Sequence, residues 1–239
     1  MLNSKKIAIL YSSQNPLGQT AGVAQIMFKH INSNQNSKAT AKIFYLNDYF
    51  HNNFETSEAR KDSIEALLCE LDECDFMLFG SPTYMGSVHS KFKEFEEATS
   101  SRWFTQKWQD KLSSGFTNSG FPSGDKLSVL QQMNIFAMQH GMIWISLGVS
   151  NNAHKLKKNE DGTVADGNIE LNALGGYIGL MTQSGRKDSN GNNIVLPTDS
   201  ATAIAFADRI VDVLSKFHTY QNSNTESKTE SKTENQHRS

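Results

Sequence analysis

Lys6-Ile7-Ala8-Ile9-Leu10-Tyr11-Ser12-Ser13-Gln14-Asn15-Pro16-Leu17-Gly18-Gln19-Thr20 is the stretch that decides the fold. Its first half, residues 6–11, is a short continuous apolar run and predicts a buried strand. Its second half is a loop of hydroxyl, amide and glycine residues with no acidic side chain. From Thr20 to Ile31 the apolar residues Val23, Ala24, Met27 and Ile31 return at helical spacing and predict a helix with one buried face. Strand, polar loop and amphipathic helix make one β-α unit.

The same grammar repeats along the chain. Strands are expected at 41–46, 75–80, 111–116 and 142–147, and helices at 57–71, 87–98, 125–140 and 199–217. Lys42 inside the second strand makes that strand an outer one. Ser57 and Ser87 are the expected caps of their helices. Leu127, Leu130, Ile135 and Met138 are the expected apolar positions of the 125–140 helix. Five β-α repeats with continuously apolar strands give an α/β protein: a five-stranded parallel sheet buried by helices on both faces. Right-handed crossovers wind such a chain in two directions from its first strand.

Two segments stand outside the repeat. Residues 148–198, rich in Asn, Gly and Asp, form a connection too long for an ordinary loop. Its apolar centre, Leu171 to Met181, implies partial order, and it is expected over the functional site or at a subunit contact. Residues 219–239 repeat Thr-Glu-Ser-Lys with almost nothing apolar and read as a disordered tail beyond a 1–218 domain.

Composition narrows the function. The 239 residues are 37% apolar and carry a formal net charge of −2, which leaves no electrostatic footprint for nucleic acid or an anionic membrane. Lys155, Lys157 and Lys158 read as a solvated basic loop. Cys69 and Cys74 have neither zinc nor thioredoxin-like spacing and read as reduced, buried thiols. With no signal-peptide core and no long apolar run, a cytoplasmic location is expected.

In a doubly wound sheet, ligands bind beyond the carboxyl ends of the strands. The loop at 12–20 offers backbone N–H groups at a helix N-terminus, with Ser13, Gln14, Gly18, Gln19 and Thr20 around them, which suits a phosphate monoester. A plain capped helix start is the alternative. The loop after the third strand, Gly80 to Ser87, contains Pro82, Thr83, Tyr84, Met85 and Gly86. It could present a ring face and backbone amides to a flat heterocycle, or be a simple turn. The same two readings apply to the loop that carries Thr117, Asn118, Ser119 and Gly120. His140, at the end of a helix, is a candidate ligand-facing or catalytic side chain, or a partner of the helix dipole. No Walker loop, dinucleotide fingerprint or Ser/His/Asp set is present.

Taken together, these segments resemble the tryptophan-repressor-binding-protein-like (WrbA-like) NAD(P)H:quinone oxidoreductases and the related NADPH-dependent FMN reductases. Ser13 to Thr20 is similar to the Ser-x4-Gly-x-Thr loop of the latter. Gly80 to Gly86 resembles the Gly-Ser/Thr-Pro-Thr-x-x-Gly loop, Phe116 to Gly120 the Phe-Thr-Ser-Thr-Gly segment, and His140-Gly141-Met142 the His-Gly-Met segment. Trp103 stands eight residues before Lys111, where the family has a tryptophan at its substrate pocket. Two departures are a longer phosphate loop and Phe121-Pro122-Ser123 in place of a Thr-Gln-His-Gly-type run. The resemblance implies a flavodoxin-like fold with strand order 2-1-3-4-5, FMN as cofactor and NAD(P)H as electron donor. It further implies a quinone or similar small acceptor walled by Trp103 and Tyr84, no metal, and a homodimer or homotetramer. A flavodoxin-type electron carrier is the main alternative, although carriers are typically strongly acidic. An FMN-free regulatory protein of the same fold is another.

Overall fold

The computed structural model describes residues 4–33, 39–157, 159–160, 168–185, 187–191 and 193–236, with side chains through Phe217. Along the chain run β1 (Lys5–Tyr11), α1 (Gln19–Ser33), β2 (Ala39–Tyr45), α2 (Ser57–Asp72), β3 (Phe76–Pro82), α3 (Ser90–Ala98) and α4 (Ser100–Phe104). They are followed by β4 (Leu112–Ser119), α5 (Lys126–Gln139), β5 (Ile143–Trp144), β6 (Leu180–Gln183) and α6 (Pro197–Gln236). The sheet order is β2-β1-β3-β4-β5, and every pairing is parallel. Ile7 stands between Ala41 and Phe76, so the first strand is central and the chain winds away from it both ways. This is the flavodoxin-like order.

All seven residues of β3 are buried, as a strand covered on both sides requires. One face packs Phe79, Phe92, Phe95, Phe136 and Trp108 with residues of α2, α3 and α5. The other packs Ile9, Leu78 and Phe116 with Val23, Met27, Phe206 and Ile210 of α1 and α6. Phe79, Phe92, Phe95 and Phe136 meet mostly edge to face, with ring centroids 5.5–6.4 Å apart.

The structure corrects several sequence expectations. The cap of α2 is Thr56, whose hydroxyl accepts from the Ala59 N–H at 3.0 Å; Ser57 is already helical. Ser87 does not cap α3. It closes a two-residue turn with Tyr84 and donates to Gln132, and His89 caps the helix instead. On α5 the buried apolar positions are Val129, Leu130, Met133, Phe136 and Ala137, whereas Leu127, Ile135 and Met138 are more than half exposed. The fifth strand is shorter than 142–147. After Trp144 the backbone stays beside β4 only through Ile145, and the upper part of that slot is taken by β6, beside residues 116–119. The long connection therefore splits one strand position in two. Gly179 makes the return possible, because a Cβ there would sit 2.4 Å from the Gly115 carbonyl oxygen. Finally, α6 continues past Phe217, where the apolar pattern ends, to Gln236. The Glu, Lys and Gln of the tail are good helix formers. Of the basic cluster, Lys155 and Lys157 are exposed and Lys158 lies outside the described residues.

Candidate functional site

The carboxyl ends of β1, β3, β4 and β6 surround a cavity of about 430 Å³. Its floor is the β1–α1 loop with Ser13, Gly18, Gln19 and Thr20. Pro82, Thr83 and Tyr84 form one wall, and Asn118, Ser119 and Gly120 another. Among the described residues no charged side chain lines it.

The floor is built for an anion. Among the described residues, the backbone N–H groups of Gln19 and Thr20, both residues buried, have no protein acceptor. These are the donors that the first turn of a helix leaves open, at the positive end of its dipole. The side-chain oxygens of Ser12 and Gln19 are also buried without a partner. At Gly18 a Cβ would stand 3.0 Å from the Asn15 carbonyl oxygen, so the loop closes tightly there. Asn47 and Tyr45 grip Ser13 from β2's end: the Asn47 amide donates to the Ser13 carbonyl at 3.0 Å and the Tyr45 hydroxyl at 2.8 Å. Burial and the nearby Asp48 keep the Tyr45 phenol above its ordinary pKa, so it remains a donor.

The hydroxyls have internal partners. Ser13 Oγ donates to the Asn15 carbonyl, and Thr20 Oγ1 donates to Asn118 Oδ1 at 2.6 Å. Half a turn of the Asn118 amide makes its Nδ2 the donor and frees the Thr20 proton for an anion. The walls are fixed to one another. The Thr83 N–H donates to the Asn118 carbonyl at 2.8 Å, and the Thr83 and Thr117 hydroxyls lie 2.9 Å apart. The turn Tyr84–Ser87 has positive φ at Met85 and Gly86, and Ser128 and Gln132 hold the Gly86 carbonyl from α5. Tyr84 is 44% exposed and Met85 stands fully out. Gln14 is exposed at the loop's outer edge.

Ser184, Gly185 and Asn193 complete the lining and come from the long connection. None of the three stands out in the sequence. The available signal was the short run Leu180-Met181-Thr182 followed by polar residues and Gly185, a faint copy of the strand-loop grammar at 78–86.

His140 and Trp103 are not part of this cluster. Helices α3 and α5 run against the strands, so their C-termini lie at the opposite end of the sheet. His140 is buried there, 4.7 Å from the Trp108 ring, with Nε2 paired to Thr99 Oγ1 at 2.9 Å. Burial lowers its pKa to about 4, so it is neutral near pH 7. Trp103 is half exposed on α4 at the same end.

The donor set fits FMN. Neutral amides and hydroxyls can take a monophosphate, and two amide-rich walls with a tyrosine can take a flat ring system. The family model described as NADPH-dependent FMN reductase matches residues 5–155. A protein named flavodoxin FldP, from Pseudomonas aeruginosa, is 34% identical over 193 residues, covering 74% of this chain and 98% of its own. An NAD(P)H dehydrogenase (quinone) from Archaeoglobus fulgidus is 35% identical over 78 residues, covering 33% of this chain and 41% of its own. Among solved structures, a WrbA-like flavodoxin from Agrobacterium tumefaciens superposes with a TM-score of 0.57 at 27% identity, covering 89% of this chain and 99% of its own. Fold, cavity chemistry and these likenesses agree: the chain belongs to the NADPH-dependent FMN reductase family.

Proposed function

We propose that the protein is an FMN-dependent oxidoreductase that passes electrons from NAD(P)H to a quinone or a similar small acceptor. The observation that carries this is the pair of buried, unpaired amides of Gln19 and Thr20 beneath two linked loop walls. When bound, FMN supplies the two-electron chemistry between nicotinamide and acceptor.

The chain supplies binding and orientation. Gln14, Gly18, Gln19 and Thr20, with Ser13, would hold the phosphate. Pro82, Thr83, Tyr84, Met85 and Gly86 from one loop, and Thr117, Asn118, Ser119 and Gly120 from the other, would hold the ring. Backbone N–H groups of the latter loop would favour negative charge on the ring. His140 lies at the far end from its own chain's cavity, buried against Thr99 and Trp108, and packs there.

A homodimer or homotetramer fits the surface. Trp103, Phe104, Leu127, Ile135 and Met138 expose apolar side chains on α4 and α5. Trp103 would wall an acceptor pocket belonging to another copy, since its own cavity lies at the other end of the sheet. Among the described residues no helix is long and apolar enough to cross a membrane, and no cluster of metal-ligating side chains occurs.

The test is a visible spectrum of the purified protein with FMN, followed by NADH or NADPH with benzoquinone present. Bound flavin that is bleached by a reduced nicotinamide and reoxidised by the quinone is the expected result. A second reading, an electron carrier, is favoured by the near full-length likeness to a protein named flavodoxin. The net charge of −2 speaks against it. A carrier would bind FMN yet show no useful rate of direct reduction by NADPH.

A further inference from the structure

Lys126, in the first turn of α5, is fully buried. Its Nζ donates to the carbonyl oxygens of Phe121 at 2.5 Å and Pro122 at 3.1 Å. It makes no ion pair among the described residues. Asp199 is the carboxylate whose field reaches it, and that carboxylate is itself held by the Gln183 N–H at 2.8 Å. An ammonium in this setting is costly twice over. It leaves water for hydrogen bonds to neutral carbonyls, with Asp199 acting on it only through space, and it stands at the positive end of a helix dipole. Burial accordingly pushes its pKa down. Two carbonyl oxygens could be satisfied by an uncharged amide, so loop anchoring alone does not call for a lysine.

The carbonyl that Lys126 contacts leads to the cavity. Phe121 O also accepts from Ser119 Oγ at 3.1 Å, and Ser119 and Gly120 line the wall. Gln183 ties the same wall from the other side, donating to the Gly120 carbonyl at 3.0 Å. The positive charge therefore lies two hydrogen bonds behind a wall that contains no charge of its own. Lys126 itself is shut off from solvent, so its charge is screened less than that of a surface lysine, although Phe121 is exposed.

We propose that Lys126 tunes the flavin: its buried ammonium, linked through the Phe121 carbonyl to the 117–120 wall, favours the reduced over the oxidised form of the bound coenzyme. The ring gains negative charge on reduction, and a fixed positive charge behind the wall stabilises that form more than the neutral one. Lys126 is thus a positioning residue that acts through the loop. This rests on the FMN reading above.

The experiment uses the full chain with FMN, as wild type, Lys126→Met and Lys126→Gln. Two quantities are read: the dissociation constant of oxidised FMN, from quenching of flavin fluorescence, and the midpoint potential, by equilibration with reference dyes. Both variants are expected to bind reduced FMN about tenfold less well relative to oxidised FMN. For a two-electron couple that is a fall of about 30 mV in potential. A purely structural lysine would weaken both forms equally and leave the potential unchanged, and that result overturns the proposal. The Gln variant keeps an amide donor and carries the measurement if the Met variant loses its flavin. A wild-type chain that takes up no FMN would instead overturn the flavin reading itself.

Discussion

At the scale of single residues, three positions make the argument testable. Thr20 sits where the first helix begins, and its hydroxyl can reach an anion once the Asn118 amide turns. Thr20→Val keeps the shape and removes the donor. A hydrogen bond to a charged group contributes roughly 1.5–3 kcal/mol, so FMN should bind at least about tenfold more weakly by fluorescence titration. Gly80 is constrained differently: a Cβ there would fall 2.2 Å from the Phe116 ring. Gly80→Ala should cost about 1–3 kcal/mol in a urea titration, the usual range for overpacking a core. His140 gives a pH signature. Its pKa is lowered to about 4 in the folded protein, against about 6.5 unfolded, so the unfolded chain binds more protons between those values. The stabilisation is fully present above pH 6.5 and is lost as pH falls toward 4. At pH 5 about 2 kcal/mol should have gone, and His140→Gln should flatten that loss. The chemistry of the 12–20, 80–87 and 116–120 loops was legible because residue types alone report donors and small side chains. The end of the sheet occupied by His140 was not, because a residue that precedes a strand lies at the strand's amino end whatever its motif resembles.

At the scale of elements, α5 is the instructive case. Leu127, Leu130, Ile135 and Met138 look like core positions, yet Leu130 alone of the four is buried. The helix is apolar over most of its circumference, so periodicity could not select the face that meets the sheet. The exposed stripe suits the contact between copies proposed above. Ile135→Lys with Met138→Lys should reduce the solution mass, by light scattering, to that of one chain while the circular dichroism stays unchanged. An unaltered mass would remove α5 from the contact. The divided fifth strand was equally hidden. The run 142–147 is continuous in the sequence, and only the competition of β6 for the upper half of β4 cuts it short. Gly179→Val should push β6 off β4 and abolish flavin uptake, since Ser184 and Gly185 enter the cavity through that strand.

At the scale of the whole molecule, the alternation of apolar strands and amphipathic helices was enough to give the architecture, and the resemblance of the loops supplied the strand order. The sheet runs β2-β1-β3-β4-β5, and Lys42 marked β2 as an edge. The lining from the 148–198 connection was out of reach, because its course depends on tertiary pairing across more than sixty residues, as between Ser119 and Gln183. Among the described residues no charged side chain lines the cavity, and this has an overall consequence. A phosphate held by amides and a helix terminus, rather than by lysines or arginines, is screened little when partly buried. FMN affinity should therefore change less than about threefold between 50 and 500 mM salt.

The return of β6 to the sheet bears on how the chain acquires its coenzyme. Parallel pairing of residues 180–183 with β4 requires a large loop to close, and such contacts form slowly. The last wall of the cavity is therefore expected to form late in folding. In a refolding experiment, capture of FMN should lag behind the recovery of helix and sheet signals. Added coenzyme should raise the final stability by mass action while leaving the early phases unhurried.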